Sequence, residues 1–458
     1  MAQPAENIYG KNFSIPQRLE RLPLSSYQRT IFYIIATAWF FDSMDLGMLT
    51  FVLGSIKTYF KLTTVQAGLL SSASFLGMFL GAAIAGMLAD RFGRKIVFQY
   101  SMVIWGAASF ICALAPSVEM LALGRILLGF GMGMEFPIGQ SLVSEFIPAK
   151  NRGRYIALLE GFWPIGFIAA GLLAYLILPI GGWRWVFACE GIPAIFVLII
   201  RRIVPESPRW LDTVGRHEEA NKVMLAFEEG VRKSLGRELP PVSNIDKSVA
   251  VASRANKFSF LELWAPGYAK RTIMVWCLWF FALLGYYGIT TWLGAFLQQA
   301  GYSVTKSVFY TIIISLAGVP GFFTAAYFIE AKGRKITIIT VLLGCAVSAY
   351  FYGTATTLTT LIIYGLCMQF FLFGMWSSIY AYTPELYPTR ARATGSGFAS
   401  AVGRLGSLLG PSIVAIILPR TGQSGVFALG AVCFVAAALV VGVLGIETKG
   451  KALEEISA

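Results

Sequence analysis

Apolar positions along the chain gather into twelve runs, at 30–54, 66–89, 96–115, 119–142, 154–178, 184–204, 272–298, 307–329, 336–355, 359–382, 394–418 and 423–446. Each run is about 20 residues or longer, the length an α-helix needs to cross the hydrocarbon core of a bilayer. Charged residues or glycine and proline close the runs, and most connections are short. The exception is 205–270, rich in Arg, Lys and Glu, with amphipathic stretches near 215–232 and 257–264. The pattern predicts an all-α membrane protein of twelve transmembrane helices in two six-helix halves, 30–204 and 271–446. A segment 1–29, a linker 205–270 and a tail 447–458 would lie outside the bilayer.

Composition agrees with a lipid solvent: 56% of residues are hydrophobic, 13% are charged and the mean hydropathy is +0.67, whereas about a quarter of a soluble domain is charged. The net charge of +13 raises the question of nucleic acid, but the placement of the cations answers it. Thirty Lys and Arg fall in segments expected on the cytoplasmic side, against five on the other: Lys57, Lys61, Arg184, Lys306 and Arg420. This is the positive-inside distribution, so both termini are expected in the cytoplasm and no nucleic-acid partner is expected. The first thirty residues carry Lys11, Arg18, Arg21 and Arg29 without the apolar core of a secretory signal, so span 1 is expected to be retained. All six cysteines sit in apolar stretches without metal or disulfide spacing and read as packing residues.

The two halves repeat each other at an offset of 240 residues. Asp90 maps to Glu330, Gly93-Arg94-Lys95 to Gly333-Arg334-Lys335, Glu145 to Glu385, Pro148 to Pro388 and Arg152 to Arg392. A parallel repeat of six-span halves places a substrate site near the midplane between them. The segment Gly86-Met-Leu-Ala-Asp90-Arg91-Phe92-Gly93-Arg94-Lys95 resembles the loop between spans 2 and 3 of the major facilitator superfamily. Arg125-Ile-Leu-Leu-Gly129-Phe-Gly131 is similar to that superfamily's Arg-x-x-x-Gly-x-Gly motif on span 4. Pro205-Glu206-Ser207-Pro208-Arg209-Trp210 and Glu447-Thr448-Lys449-Gly450-Lys451 resemble signatures of its sugar porters and organic-ion transporters. The resemblance implies the major facilitator fold and a cytoplasmic gating network of Asp90, Arg91, Arg94, Glu145 and Arg152, repeated in Glu330, Arg334, Glu385 and Arg392. Such a network is expected to break when the halves rock.

Ionisable residues inside a span are costly and so are functional candidates. They are Asp42 and Asp45 on span 1, Arg125 and Glu135 on span 4, Glu160 on span 5, Glu190 on span 6 and Arg404 on span 11. Arg404 has Pro164 as its counterpart in the repeat, so the duplication alone does not demand a cation there. A guanidinium in a cavity is a fork for a carboxylate. Ala401-Val-Gly-Arg404-Leu-Gly-Ser407 is similar to the span 11 segment of animal organic-anion transporters, which implies that Arg404 faces an anionic substrate. Tyr286-Tyr287-Gly288 on span 7 resembles an element of the same proteins. Trp376 and Tyr380 on span 10 are four apart and share a helix face, so with Tyr286 and Tyr287 they are the expected ring-binding residues.

Asp42 and Asp45 are three apart and can share one face of span 1. Resemblance to proton-coupled sugar porters makes Asp45 the proton carrier, Arg125 its partner on span 4, and Asp42 and Glu135 neighbours in that task; the alternative is a static Asp45–Arg125 bridge in a uniporter. Phe41-Asp42-Ser-Met-Asp45-Leu-Gly47-Met48-Leu49 closely resembles bacterial niacin transporters, relatives of organic-ion transporters and synaptic-vesicle glycoproteins. That implies a monomeric proton symporter of the bacterial inner membrane for nicotinate, nicotinamide or a related aromatic acid, working by alternating access. The loop between spans 1 and 2 departs from the animal proteins in being short and free of cysteine. Whether Glu135 and Glu160 move protons or meet a pyridine nitrogen stays open at this level. A benzoate-type symporter, a sugar porter and a receptor that no longer cycles are the alternatives. A sugar site would be rich in Gln and Asn, and the second half offers mainly Gln298, Gln299 and Gln369. No phosphate loop, nucleophile motif or metal-ligand spacing is present, and the lone His217 lies in the polar linker, so neither catalysis nor a cofactor is expected.

Overall fold

In the computed structural model, described for residues 14–242, 263–265, 267–387 and 392–449, ten helices are long and apolar enough to cross a membrane. Eight are single spans: Ser26–Tyr59, Thr64–Phe92, Arg94–Leu114 and Val118–Phe146 (spans 1–4), then Ala269–Gln299, Val304–Lys332, Arg334–Thr354 and Leu358–Glu385 (spans 7–10). The other two, Lys150–Ile200 and Thr394–Leu444, run 51 residues each, about twice what one crossing needs. Each is divided by one glycine with left-handed φ, Gly182 at 68° and Gly422 at 66°. A residue with a β-carbon avoids this conformation, and the chain turns there without a loop. The two long helices therefore supply spans 5 and 6 and spans 11 and 12, and the ten helices make twelve crossings. The sequence predicts short connections at these points; the structure replaces each with a single kinked residue.

The other boundaries have local causes. Ser25, Thr63, Ser117, Ser303 and Thr357 precede helices, and each side chain accepts a hydrogen bond from an amide of the first turn, as N-caps do. Gly93 and Gly333, with φ of 102° and 109°, make the tight turns between spans 2 and 3 and between spans 8 and 9. Span 7 is interrupted after Thr290 and resumes at Leu293, and span 8 breaks between Leu316 and Gly318. Outward-facing positions such as Leu114, Leu176, Ile180, Leu439 and Val443 are exposed apolar residues, the surface a bilayer solvates. Close packing explains the Arg-x-x-x-Gly-x-Gly motif: a β-carbon at Gly129 would overlap the Ser74 carbonyl oxygen of span 2, and one at Gly131 would crowd Ser101 and Trp105 of span 3.

The linker contributes helices Pro208–Thr213 and His217–Leu235, the second covering the amphipathic stretch expected near 215–232. The stretch expected near 257–264 lies largely outside the described residues. A short helix, Ile15–Glu20, docks on His217–Leu235 through Arg18, whose Nε and Nη2 donate to Glu228 at 3.1 and 2.5 Å, and through Arg21 at 2.7 Å.

The halves meet firmly at the end opposite the Gly93 and Gly333 turns. There Ser72 Oγ reaches the Leu408 carbonyl at 2.7 Å and Ser412 Oγ at 2.8 Å, Gly68 abuts Ala415, Gly294 abuts Thr50, and Gly54 abuts Gln298. Deeper in the seam, Arg404 Nη1 lies 3.7 Å from Met78 Sδ.

Candidate substrate cavity and gating network

Below that seam the halves leave a narrow cavity of about 20 Å³, room for roughly one water, so a ring-sized ligand needs its walls to part. Spans 4 and 5 line it with Phe136, Glu160, Trp163 and Pro164; spans 7, 8, 10 and 11 line it with Trp279, Leu283, Tyr287, Phe322, Phe373, Trp376, Tyr380 and Arg404. Pro164 and Arg404, equivalent in the repeat, therefore face the same space. Four residues that the sequence places there, Arg404, Tyr287, Trp376 and Tyr380, are together. Tyr286 instead lines an adjoining cavity and packs edge-on against Trp376 at 5.3 Å. Sequence reasoning missed Trp163, Trp279 and Phe136. Trp279 lies four residues before Leu283 and eight before Tyr287 and so shares their helix face.

The aromatic walls hold one another. Trp376 and Tyr380 stack at 5.7 Å with 23° between planes, and Trp279 meets Tyr380 edge-on at 5.3 Å. Trp279 Nε1 donates to Thr383 Oγ1 at 2.9 Å, fixing the indole. Arg404 is 8% exposed, and its guanidinium sits 4.8 Å over the Phe136 ring. Among the described residues no carboxylate lies within ion-pairing distance of it. A buried cation without a close ion pair is costly; this one borders the cavity, with Asp42 and Glu160 as its charged neighbours.

The adjoining cavity, about 20 Å³, shares Trp163 and Tyr287 with the first and extends to Arg125. It leads to a buried charge cluster. Arg125 Nη1 lies 3.4 Å from Asp45 Oδ1, and Ser109 Oγ donates to Asp45 Oδ2 at 3.3 Å. Glu190 of span 6 stands beside Asp45, and Arg125 also rests 5.6 Å from the Phe187 ring centre. Asp42 is fully buried, and neither of its carboxylate oxygens has a hydrogen-bond partner among the described residues. Its charged neighbours are Glu135, Asp45 and Arg404. Glu135 accepts from Trp105 Nε1 at 3.2 Å and Ser101 Oγ at 3.5 Å. Glu160 accepts from Gln140 Nε2 at 3.0 Å.

At the end carrying the Gly93 and Gly333 turns, each half builds the same network from its own residues. In the first, Arg94 pairs with Glu145, which also accepts from Ser207 Oγ. In the second, Arg334 pairs with Glu385 and Glu330, each at 3.0 Å, and Thr448 Oγ1 donates to Glu385 at 2.6 Å. Glu206 accepts from the Arg94 and Lys95 amides at 3.1 Å, and Glu447 from the Arg334 and Lys335 amides at 2.9 and 3.1 Å. These carboxylates cap the starts of spans 3 and 9, satisfying amides that a helix leaves free. Burial acts to raise the Glu447 carboxyl pKa, but the amides of Lys449, Arg334, Lys335 and Thr448 outweigh it, and the group ends below its ordinary value. Asp90 joins through its backbone carbonyl, which accepts from Trp210 Nε1 at 2.8 Å. Arg91 lies beside the Phe92 ring. Arg152 pairs with Glu20 at 3.3 Å, together with Arg209 at 2.9 Å. The side chain of Arg392 lies outside the described residues.

Two six-helix halves joined by a linker, a midplane cavity between them and a matched pair of charge networks define a membrane carrier of the major facilitator class. The comparisons place it further. Residues 27–458 match the family described as "Sugar (and other) transporter", and the chain belongs to that family. It is 39% identical to the niacin transporter NiaP of Acinetobacter baylyi over 96% of this chain and 98% of that one. It is 33% identical to the putative niacin/nicotinamide transporter NiaP of Bacillus subtilis, over 93% and 98%. The inward-open xylose transporter XylE of Escherichia coli superposes with a TM-score of 0.75 at 22% identity, over 94% of this chain and 99% of that one. The chain is thus a multi-pass membrane transporter and not an enzyme.

Proposed function

We propose that this chain imports nicotinate, or a closely related small aromatic carboxylate, by proton symport with alternating access. The observation that carries the reading is Arg404: a buried guanidinium that, among the described residues, has no carboxylate within ion-pairing distance and borders an aromatic-walled cavity. The missing counter-ion is the substrate carboxylate, held as a charge-assisted pair, while the ring packs among Tyr287, Trp376 and Tyr380 with Tyr286 behind them. The niacin transporters among the relatives support the same substrate. A sugar would need several hydrogen-bonding side chains, and this cavity is walled mainly by rings.

Proton coupling falls to Asp45. As a carboxylate it attracts Arg125; protonated, it releases the guanidinium and lets the spans around it repack. Asp42, whose charged neighbours are Glu135, Asp45 and Arg404, relays the change together with Glu135. The Arg94–Glu145 and Arg334–Glu385 networks, with Asp90, Arg91, Arg152, Glu330 and Arg392, set the stability of the cytoplasmic gate. With the positive-inside distribution, the closed seam at Ser72 and Ser412 is the outer gate, the cavity faces the cytoplasm, and both termini are cytoplasmic. The carrier works as a monomer in a bacterial inner membrane, with 30–204 and 271–446 as its moving halves and 205–270 and 447–458 as its cytosolic parts.

Binding of nicotinate, nicotinamide and benzoate to the purified protein tests the substrate. The expected result is nicotinate binding that Arg404→Ala abolishes. No binding of any of the three, or nicotinate binding indifferent to Arg404, overturns the assignment.

A further inference from the structure

The cavity has a second charged wall that the role of Arg404 leaves unused. Glu160, on span 5 of the first half, is 4% exposed and lines the cavity that Arg404 enters from span 11 of the second half. It accepts from a neutral amide, Gln140 at 3.0 Å, with the Trp39 indole also beside it, and among the described residues no cation lies within ion-pairing distance. Of the two carboxyl groups that feel the charge of Arg404, Glu160 lines the cavity and Asp42 does not. Glu160 and Arg404 face the same cavity from opposite halves and feel each other's charge without forming an ion pair, and buried charges held apart in this way are incompletely compensated. The walls around both include Trp163, Trp279, Trp376 and Tyr380, and an aromatic face, unlike its edge, attracts a cationic nitrogen through the ring quadrupole.

We infer that the cavity is bipolar and selects aromatic acids whose ring nitrogen carries positive charge: the carboxylate on Arg404, and the N–H or N-alkyl pyridinium on Glu160 and the tryptophan rings. The inference rests on the proposed recognition of an aromatic carboxylate by Arg404 and adds Glu160 as the residue that determines specificity. For a pyridine carboxylic acid, one proton lies between the ring nitrogen and Glu160, so the ligand enters as a zwitterion or shares that proton in a hydrogen bond. An N-methylpyridinium carboxylate carries the charge permanently. Benzoate keeps the carboxylate and loses the nitrogen; nicotinamide keeps the nitrogen and loses the carboxylate. Each should be the poorer ligand for a different, identifiable reason.

Calorimetric titration of the full-length wild-type protein and of Glu160→Gln with N-methylpyridinium-3-carboxylate, nicotinate and benzoate tests this. The wild type should bind the N-methyl compound about tenfold or more tightly than benzoate, as a desolvated cation–π and ion pair predicts. Glu160→Gln should lose that margin while benzoate binds no more weakly, since a repelling carboxylate has been removed. Equal affinity of the wild type for benzoate and the N-methyl compound overturns the inference, and so does a variant that weakens all three alike. The wild-type series alone decides the point if Glu160→Gln does not fold. Failure of the underlying reading looks different: no carboxylate binds, or binding survives Arg404→Ala, whatever happens at Glu160.

Discussion

Replacing Arg404 by alanine has opposite expected effects on the empty and the loaded protein, and the contrast is what makes the substitution informative. In the empty protein the guanidinium is buried over the Phe136 ring at 4.8 Å, with a sulfur at 3.7 Å as its polar contact. Its removal gives up a cation–π contact of about 0.5–2 kcal/mol and relieves a desolvation penalty of several kcal/mol. The melting temperature without ligand should therefore stay level or rise. In the loaded protein the same guanidinium is one member of a buried, hydrogen-bonded charge pair, and truncating such a member costs roughly 2–5 kcal/mol. At about 1.4 kcal/mol per tenfold, affinity for nicotinate should fall on the order of 30-fold to several thousandfold. Titration calorimetry and thermal melts in the same detergent, with and without nicotinate, give both numbers. Arg404→Lys keeps the charge and loses the planar fork, so it should recover part of the affinity. An Arg404→Ala protein that melts several degrees lower and binds nicotinate normally would refute the reasoning: Arg404 would then be holding the halves together.

Three further outcomes follow from the geometry. Asp45→Asn should abolish uptake driven by a pH gradient in liposomes by about tenfold or more while sparing counterflow, because the partner of Arg125 at 3.4 Å can no longer change charge; undiminished gradient-driven accumulation would remove Asp45 from the coupling step. Gly129→Val should lower thermal stability by about 1–3 kcal/mol, the usual cost of overpacking, since the added carbons meet the Ser74 carbonyl; an unchanged melt would mean that spans 2 and 4 can separate freely. Glu447→Gln should cost about 1 kcal/mol through weakened capping of span 9 and should flatten the acid side of the stability profile. The Glu447 pKa is depressed on folding, so its contribution is complete above the unfolded value and is lost as pH falls through the lower folded value; melts from roughly pH 6 to 3 that are parallel in the two proteins would contradict it.

The spans were legible because lipid demands about 20 apolar residues in a row, a constraint strong enough to read from one sequence. The repeat was legible for the same reason, and the structure extends it to backbone detail: Gly93 and Gly333, and Gly182 and Gly422, adopt matching left-handed φ at the same offset. The missing connections between spans 5 and 6 and between spans 11 and 12 were not legible, since glycine with flanking polar residues reads as a loop whether or not the helix resumes at once. The interruption of span 8 is marked by Gly318 and by Pro320, which withdraws a helix amide, and that of span 7 falls at Thr290-Thr291, but both lie inside runs whose apolar composition continues on either side. Glu206 and Glu447 escaped notice as a pair because they are offset by 241 residues rather than 240, so a strict repeat does not align them. Of the cavity, Arg404 was legible because charge in a span is rare. Trp163, Trp279 and Phe136 were not, since aromatic rings are common throughout the spans and only packing tells a wall from a filler.

The capping carboxylates also order the events of biosynthesis. Spans 1 to 6 acquire their fastening when Glu206 and Ser207 emerge and reach back to the start of span 3 and to Glu145. That happens while more than half of the sequence is still to be made, so the first half can be complete as a unit before the second is inserted. Spans 7 to 12 have no such head start. Their clasp, Glu447 and Thr448, follows span 12 and closes on Arg334 and Glu385, so a ribosome that stalls within the last span leaves a finished first half beside a second that cannot fasten.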